Sequence, residues 1–289
     1  MISVTPVRLG FVAMSAAAGL FLAHGAAVAQ GPAGSVKLAP HVAIYDLKLV
    51  STKGKRSLEG VRGRIVYDFS GSSCEGYALN FRQVTELDSG EGKVALSDLR
   101  TATWEEGDGK SFRFQSQNYM DRQQIGEVDG QADRGSAAVA VKLKKPEDKK
   151  FDAGTVLFPT DHMRKLIEAA REGKTLLEVA VYDGSETGEK IYQSLSVIGK
   201  RIGPEKKPED DVTTADSLAG LARWPVTISY FDKGEKRNTD DPGEQTPIYA
   251  ISFEMYENGI SRSLRLDYGD FVIDGKMTSL EVKQAKACK

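Results

Sequence analysis

Apolar and polar residues alternate with a period of two from His41 almost to the end of the chain. That spacing puts successive side chains on opposite faces of a strand. In "AIYDLKL" (43–49), Ala43, Tyr45, Leu47 and Leu49 share one face and Asp46 and Lys48 the other. "RIVYDF" groups Ile65, Tyr67 and Phe69, and "YALNFRQVTEL" sets Tyr77, Leu79 and Phe81 opposite Asn80 and Arg82. "SFRFQSQ" and "AAVAVKL" continue the pattern, followed by "LLEVAVYD", "IYQSLSVIG", "VTISYF", "IYAISFEMYE", "SRSLRLDYG", "DFVIDG" and "MTSLEVK". Turn residues fill most gaps, as in "DSGEG" (88–92), "ENG" (257–259) and "DGK" (274–276). The spacing predicts about a dozen or more strands in one series, an antiparallel all-β domain.

One segment changes period. "FPTDHMRKLIEAAREGK" carries Met163, Leu166, Ile167 and Ala170 at helical spacing, with Thr160 or Asp161 as the expected cap and Gly173 as the stop. Its single apolar stripe must cover something. A shorter helical turn is expected in "TADSLAGLA" (214–222), ended by Trp224-Pro225. "IYAISFEMY" is apolar on both faces: Tyr249, Ile251, Phe253 and Met255 lie on one, Ile248, Ala250 and Tyr256 on the other. Both must be covered, one by wrapping the sheet around the helix and part of the other by a ligand or partner. The charged, Pro-containing runs 144–150, 203–214 and 232–247 read as exposed loops within one domain.

The first 29 residues read as a cleaved signal peptide, leaving 30–289 as a single domain. Arg8 precedes an apolar run from Leu9 to Leu22, and Ala27-Val28-Ala29 has the small-x-small form of a cleavage site. No cysteine follows that site, so a lipid anchor is not expected, and no later stretch is apolar enough to span a bilayer. The expected location is periplasmic. A formal net charge of −2 provides no electrostatic footprint for nucleic acid. Export would place the two cysteines, Cys74 and Cys288, where thiols are oxidised. An intramolecular bond, two free thiols and an intermolecular bridge are all compatible with that; the first would constrain the unfolded chain by at most about 5 kcal/mol.

Catalytic motifs are scarce. After export only His41 and His162 remain, far apart in sequence and outside metal-ligand spacings, and both read as neutral surface residues. There is no G-x-S-x-G elbow. "YDGSETGEKIY" lacks the Lys-Ser/Thr ending of a phosphate loop and reads as a hairpin turn. The carboxylate pairs Glu105-Glu106, Asp210-Asp211 and Asp240-Asp241 read as solvated charges. No enzyme, metal or cofactor is expected.

Four stretches carry a family resemblance: "HVAIYDLKL" (41–49), "LFPTDH" (157–162), "WPVTISYFD" (224–232) and "YENGISRSLRLDYGDFVIDGKMTSLE" (256–281). Together they resemble the cell-envelope integrity protein EipB family, over essentially the whole mature chain. The resemblance implies an open β-spiral or unclosed barrel of 12–14 strands around one helix, similar to LolA/LolB-type carriers. It implies a periplasmic, non-enzymatic protein with a disulfide between Cys74 and Cys288, and a tetratricopeptide-repeat protein as partner. If the final strand lies on a free edge of the sheet, such a bridge would act as a clasp. The expected function is envelope maintenance through binding another protein. The alternative is a carrier sheltering a lipid or lipoprotein acyl chain in the open sheet, which an interior packed solid would oppose.

Overall fold

The computed structural model describes residues 36–53, 58–208, 212, 216–233 and 246–284. The expected signal peptide, Cys288, Asp210-Asp211 and Asp240-Asp241 lie outside them. The alternating segments form fourteen strands: β1 (His41–Thr52), β2 (Gly60–Ser72), β3 (Gly76–Asp88), β4 (Val94–Glu105), β5 (Ser111–Met120), β6 (Gln123–Arg134), β7 (Val139–Lys145) and β8 (Lys149–Asp152) precede the helix α1 (Pro159–Arg171). After it come β9 (Leu176–Val181), β10 (Tyr192–Ile198), β11 (Arg223–Asp232), β12 (Tyr249–Tyr256), β13 (Ser261–Asp267) and β14 (Phe271–Val282). A short 3-10 turn, Asp216–Leu218, is what forms in the predicted second helical segment, and Trp224-Pro225 belong to β11. "YDGSETGEKIY" is the hairpin connection from β9 to β10, as its glycines suggested.

All fourteen strands lie in one sheet of order β8-β7-β6-β5-β4-β3-β2-β1-β14-β13-β12-β11-β10-β9. Every strand pair is antiparallel. The sheet does not close, because β8 and β9 are not paired with each other. This corrects the expectation for the last strand: β14 is no edge but sits between β1 and β13, with His41 opposite Val282. The two free edges belong to strands consecutive in sequence, with residues 153–175, the helix among them, in between.

The segment Ala153–Phe158 spans the gap between those edges. Its Ala153 end exchanges hydrogen bonds with Val139 of β7 (2.8 Å, and 2.9 Å from Val139 N–H to Gly154 O). Its Leu157 end exchanges them with β9, donating to Ala180 O and accepting from Tyr182 N–H. The Tyr182–Lys190 turn packs against the opposite side of the seam. An added Cβ at Gly184, where φ is +69°, would lie 2.3 Å from the Phe114 ring. Only glycine permits that backbone and that approach. Phe112, Phe114, Val141, Leu143, Phe158 and Tyr182 make this seam a hydrophobic cluster of its own. An ion pair from Lys149 to Glu189 joins the same two sides.

The helix lies inside the curve of the sheet. Leu166, Ile167, Ala169 and Ala170 pack with Trp224, Val226, Phe253 and Met255, so the apolar stripe meets the inward face of β12 as expected. Pro159 occupies the first turn, where its missing N–H costs nothing, and Gly173 (φ +74°) ends the helix. Capping differs from expectation. Neither Thr160 nor Asp161 is the N-cap; Phe158 is, and its side chain cannot accept a bond. The orphan donors are met from another strand: Glu105, at the end of β4, accepts from the N–H of Thr160 (2.7 Å) and of Asp161 (3.0 Å).

Candidate functional site

Between the helix cluster and a second cluster around Tyr45, Ile65 and Leu266 lies a cavity of about 350 Å³. Its walls come from inward positions of β1–β3 and β11–β13, and α1 covers it with Pro159, Thr160, His162, Met163 and Leu166. Two aromatic ladders cross the strands here. One runs His41–Tyr67–Phe69–Tyr77, with centroid separations of 5.4, 6.3 and 5.4 Å. The other runs Tyr192–Tyr230–Tyr249–Tyr268–Phe271, at 5.9, 5.9, 5.1 and 4.9 Å. Such cross-strand stacks hold ring faces in fixed orientation. Burial pushes the Tyr67 hydroxyl up to about 12 and raises Tyr230 and Tyr249, so these phenols stay protonated. Tyr67, Tyr230 and Tyr249 still retain part of their accessible area, and all three line the cavity.

Both histidines belong to this site, which corrects their reading as surface residues. His41 is 3% exposed and its Nδ1 lies 2.8 Å from Ala39 O. A carbonyl can only accept, so Nδ1 carries the proton and Nε2 is left as an acceptor. His162 is 4% exposed, and its Nε2 has no hydrogen-bond partner. Burial lowers the pKa of both, that of His162 to about 4, so neither is a cation at neutral pH. Asp183 also lines the cavity, and burial raises its pKa.

Glu105 corrects a second reading. Its partner in the pair, Glu106, is half-buried, but Glu105 itself is 2% exposed and accepts the two helix N–H bonds. Burial, opposed by the two helix N–H donors, raises its pKa to about 7. Beside it, Arg134 fastens the covering helix. It donates to Gly109 O (2.9 Å), to Val156 O (2.8 Å) and to Asp161 (3.3 Å), with its guanidinium 4.8 Å from the Phe158 ring centroid. Arg164 donates to Asp161 as well, and to Gly107 O at 2.8 Å. The helix start is thus tied to the β4–β5 hairpin, to β6 and to the segment that spans the seam.

Elsewhere, Cys74 occupies the three-residue turn from β2 to β3, and no cysteine among the described residues is free. On the outer face of β9 and β10, Leu176 and Val197 are directly paired and are 59% and 49% exposed. No group of three or more potential metal ligands occurs among the described residues, and no helix among them is long and apolar enough to cross a membrane.

Among the described residues, an unclosed antiparallel sheet wrapped around one helix defines a β-barrel-like fold. Residues 32–284 match the family model described as EipB-like. The chain is 38% identical over 275 residues to the cell envelope integrity protein EipB of Brucella abortus (strain 2308), covering 94% of this chain and 95% of that one. It is similar to the crystal structure of a β-barrel-like protein of a domain of unknown function from Brucella abortus, with a TM-score of 0.78 and 38% identity over 86% of this chain and 100% of that one. The chain belongs to the EipB-like family, and the name of its relative supports a role in cell envelope integrity.

Proposed function

We propose that this chain supports the cell envelope as a non-catalytic periplasmic binding protein whose cavity shelters one apolar chain of a lipid or lipoprotein. The supporting observation is the roughly 350 Å³ chamber walled in part by the ladder from His41 to Tyr77 and by Tyr230 and Tyr249 of the second, and covered by α1. That volume falls at the lower end of the usual range for ligand sites, about 300–1,000 Å³. It suits a single chain rather than a whole diacyl lipid. A solid interior would have opposed this reading, and the chamber moves it ahead of protein binding. Periplasmic location rests on the leader-like residues 1–29 and on the family's envelope role. A bond from Cys74 to Cys288 completes the proposal; the absence of a free cysteine among the described residues favours it.

Protein binding stands as the second reading. The Leu176–Val197 pair favours it, because adjacent exposed apolar side chains on the edge strand β9 and its neighbour β10 suit a docking surface. The partner this reading expects is the tetratricopeptide-repeat protein that the family resemblance implies. The deciding experiment is purification from a periplasmic extract without denaturant, followed by lipid mass spectrometry and a pull-down on the same sample. A lipid recovered at near one per protein supports the carrier. An empty chamber with a stoichiometric protein partner supports the second reading and overturns the first.

A further inference from the structure

Resting on the carrier reading, we propose that the cavity selects an uncharged chain, apolar throughout or ending in a hydroxyl or an amide, and rejects chains ending in carboxylate or phosphate.

The argument begins with what lines the chamber. Among the described lining residues there is no lysine or arginine, the two histidines are neutral, and the one carboxyl is that of Asp183. The neighbouring cation, Arg164, is engaged by Asp161 and Gly107 O. An anionic chain end would therefore enter a low-dielectric space with no counter-charge, facing the Asp183 carboxyl. An unpaired buried charge is strongly disfavoured. The histidines do not rescue it, since burial keeps both neutral.

The chamber is nevertheless not indifferent to polarity. Gln83, Thr103, Thr160, Asn258 and Ser261 line it, and each can donate or accept a hydrogen bond without carrying charge. A hydroxyl or an amide on the chain that pairs with such groups recovers the cost of leaving its polar atoms dry, whereas a carboxylate or phosphate also needs a counter-charge that the lining lacks.

Competition binding tests this with chains of equal length. N-phenyl-1-naphthylamine, an uncharged fluorescent probe, is bound to the purified full-length mature protein. It is then displaced by dodecanol, laurate or dodecyl phosphate near pH 8, each below its aggregation concentration. Dodecanol should displace the probe at concentrations at least about tenfold lower than either anion. Laurate competing as well as dodecanol would overturn the selectivity while leaving the carrier reading intact. Failure of the probe and all three chains to bind would overturn the carrier reading itself. In the Gln83→Arg variant, which adds a cation to the lining, laurate should gain several-fold on dodecanol; an unchanged ratio would overturn the counter-charge argument. Should that variant not fold, the preference of the unaltered protein still decides the matter.

Discussion

Replacing Glu105 with glutamine should tilt the pH dependence of stability one way, and replacing His162 with phenylalanine should tilt it the other. Burial raises Glu105 from 4.5 to about 7 in the folded protein. Between those values the folded state holds one proton more than the unfolded chain. The stability it contributes is therefore full below pH 4.5 and lost as pH rises through about 7, at about 1.4 kcal/mol per unit. His162 moves from 6.5 down to about 4. Here the unfolded chain holds the extra proton, so stability is full above pH 6.5 and lost as pH falls through about 4. Between pH 4.5 and 6.5 the two slopes oppose and nearly cancel. Glu105→Gln leaves only the rise, about 3 kcal/mol across that window. It also carries a constant loss of about 1–2 kcal/mol, because one of the two oxygens that accept a helix N–H becomes an NH2 group, a donor facing a donor. His162→Phe leaves only the fall, of similar size. Urea unfolding followed by tryptophan fluorescence at several pH values measures both. Each variant is referred to wild type at the same pH, so that other carboxylates cancel. If both variants ran parallel to wild type, the buried environments assigned to Glu105 and His162 would be wrong.

Cys74→Ser should lower the melting temperature in oxidising buffer and leave it unchanged under full reduction, with about 5 kcal/mol as the ceiling on the loss; equal melting in both buffers would remove the bridge. Arg134→Ala should cost about 2 kcal/mol and speed amide exchange in Ala153–Phe158, since Val156 O and Gly109 O lose their donor; unchanged exchange there would refute its fastening role. Gly184→Ala should destabilise by about 2–3 kcal/mol, because φ is +69° and the new Cβ meets the Phe114 ring; an unaltered thermal melt would contradict the seam packing. Leu176→Glu should leave stability within about 0.5 kcal/mol while abolishing capture of a protein partner, and retained capture would clear the β9–β10 face.

The strands were legible because alternation reports a half-buried sheet directly, and the helix because its period broke that rhythm. Burial of individual polar residues was harder to read. His41 continues the inward parity of Ala43, Tyr45 and Leu47, and His162 adjoins the stripe of Met163, Leu166 and Ile167. Those positions held the signal, and the residue type hid it. Glu105 was masked by Glu106: two adjacent carboxylates on a strand end point to opposite faces, so one can be buried while the other is wetter. The edges were misplaced for a topological reason. Successive hairpins suggest that the chain ends lie at the sheet's ends, and nothing in local pattern announces that β1 and β14 pair.

Synthesis delivers β1 first and β14 last. The strands from β1 to β8 form a run of nearest-neighbour hairpins, as do those from β9 to β14, and each can zip up from local turns. The two halves meet in one ladder whose partners, His41 and Val282, are almost the whole chain apart. Until β14 reaches it, β1 keeps an unpaired flank of backbone donors and acceptors, open to any stray strand. The speed and fidelity of maturation therefore hang on one long-range meeting, and a chain truncated before Phe271 should expose that flank permanently.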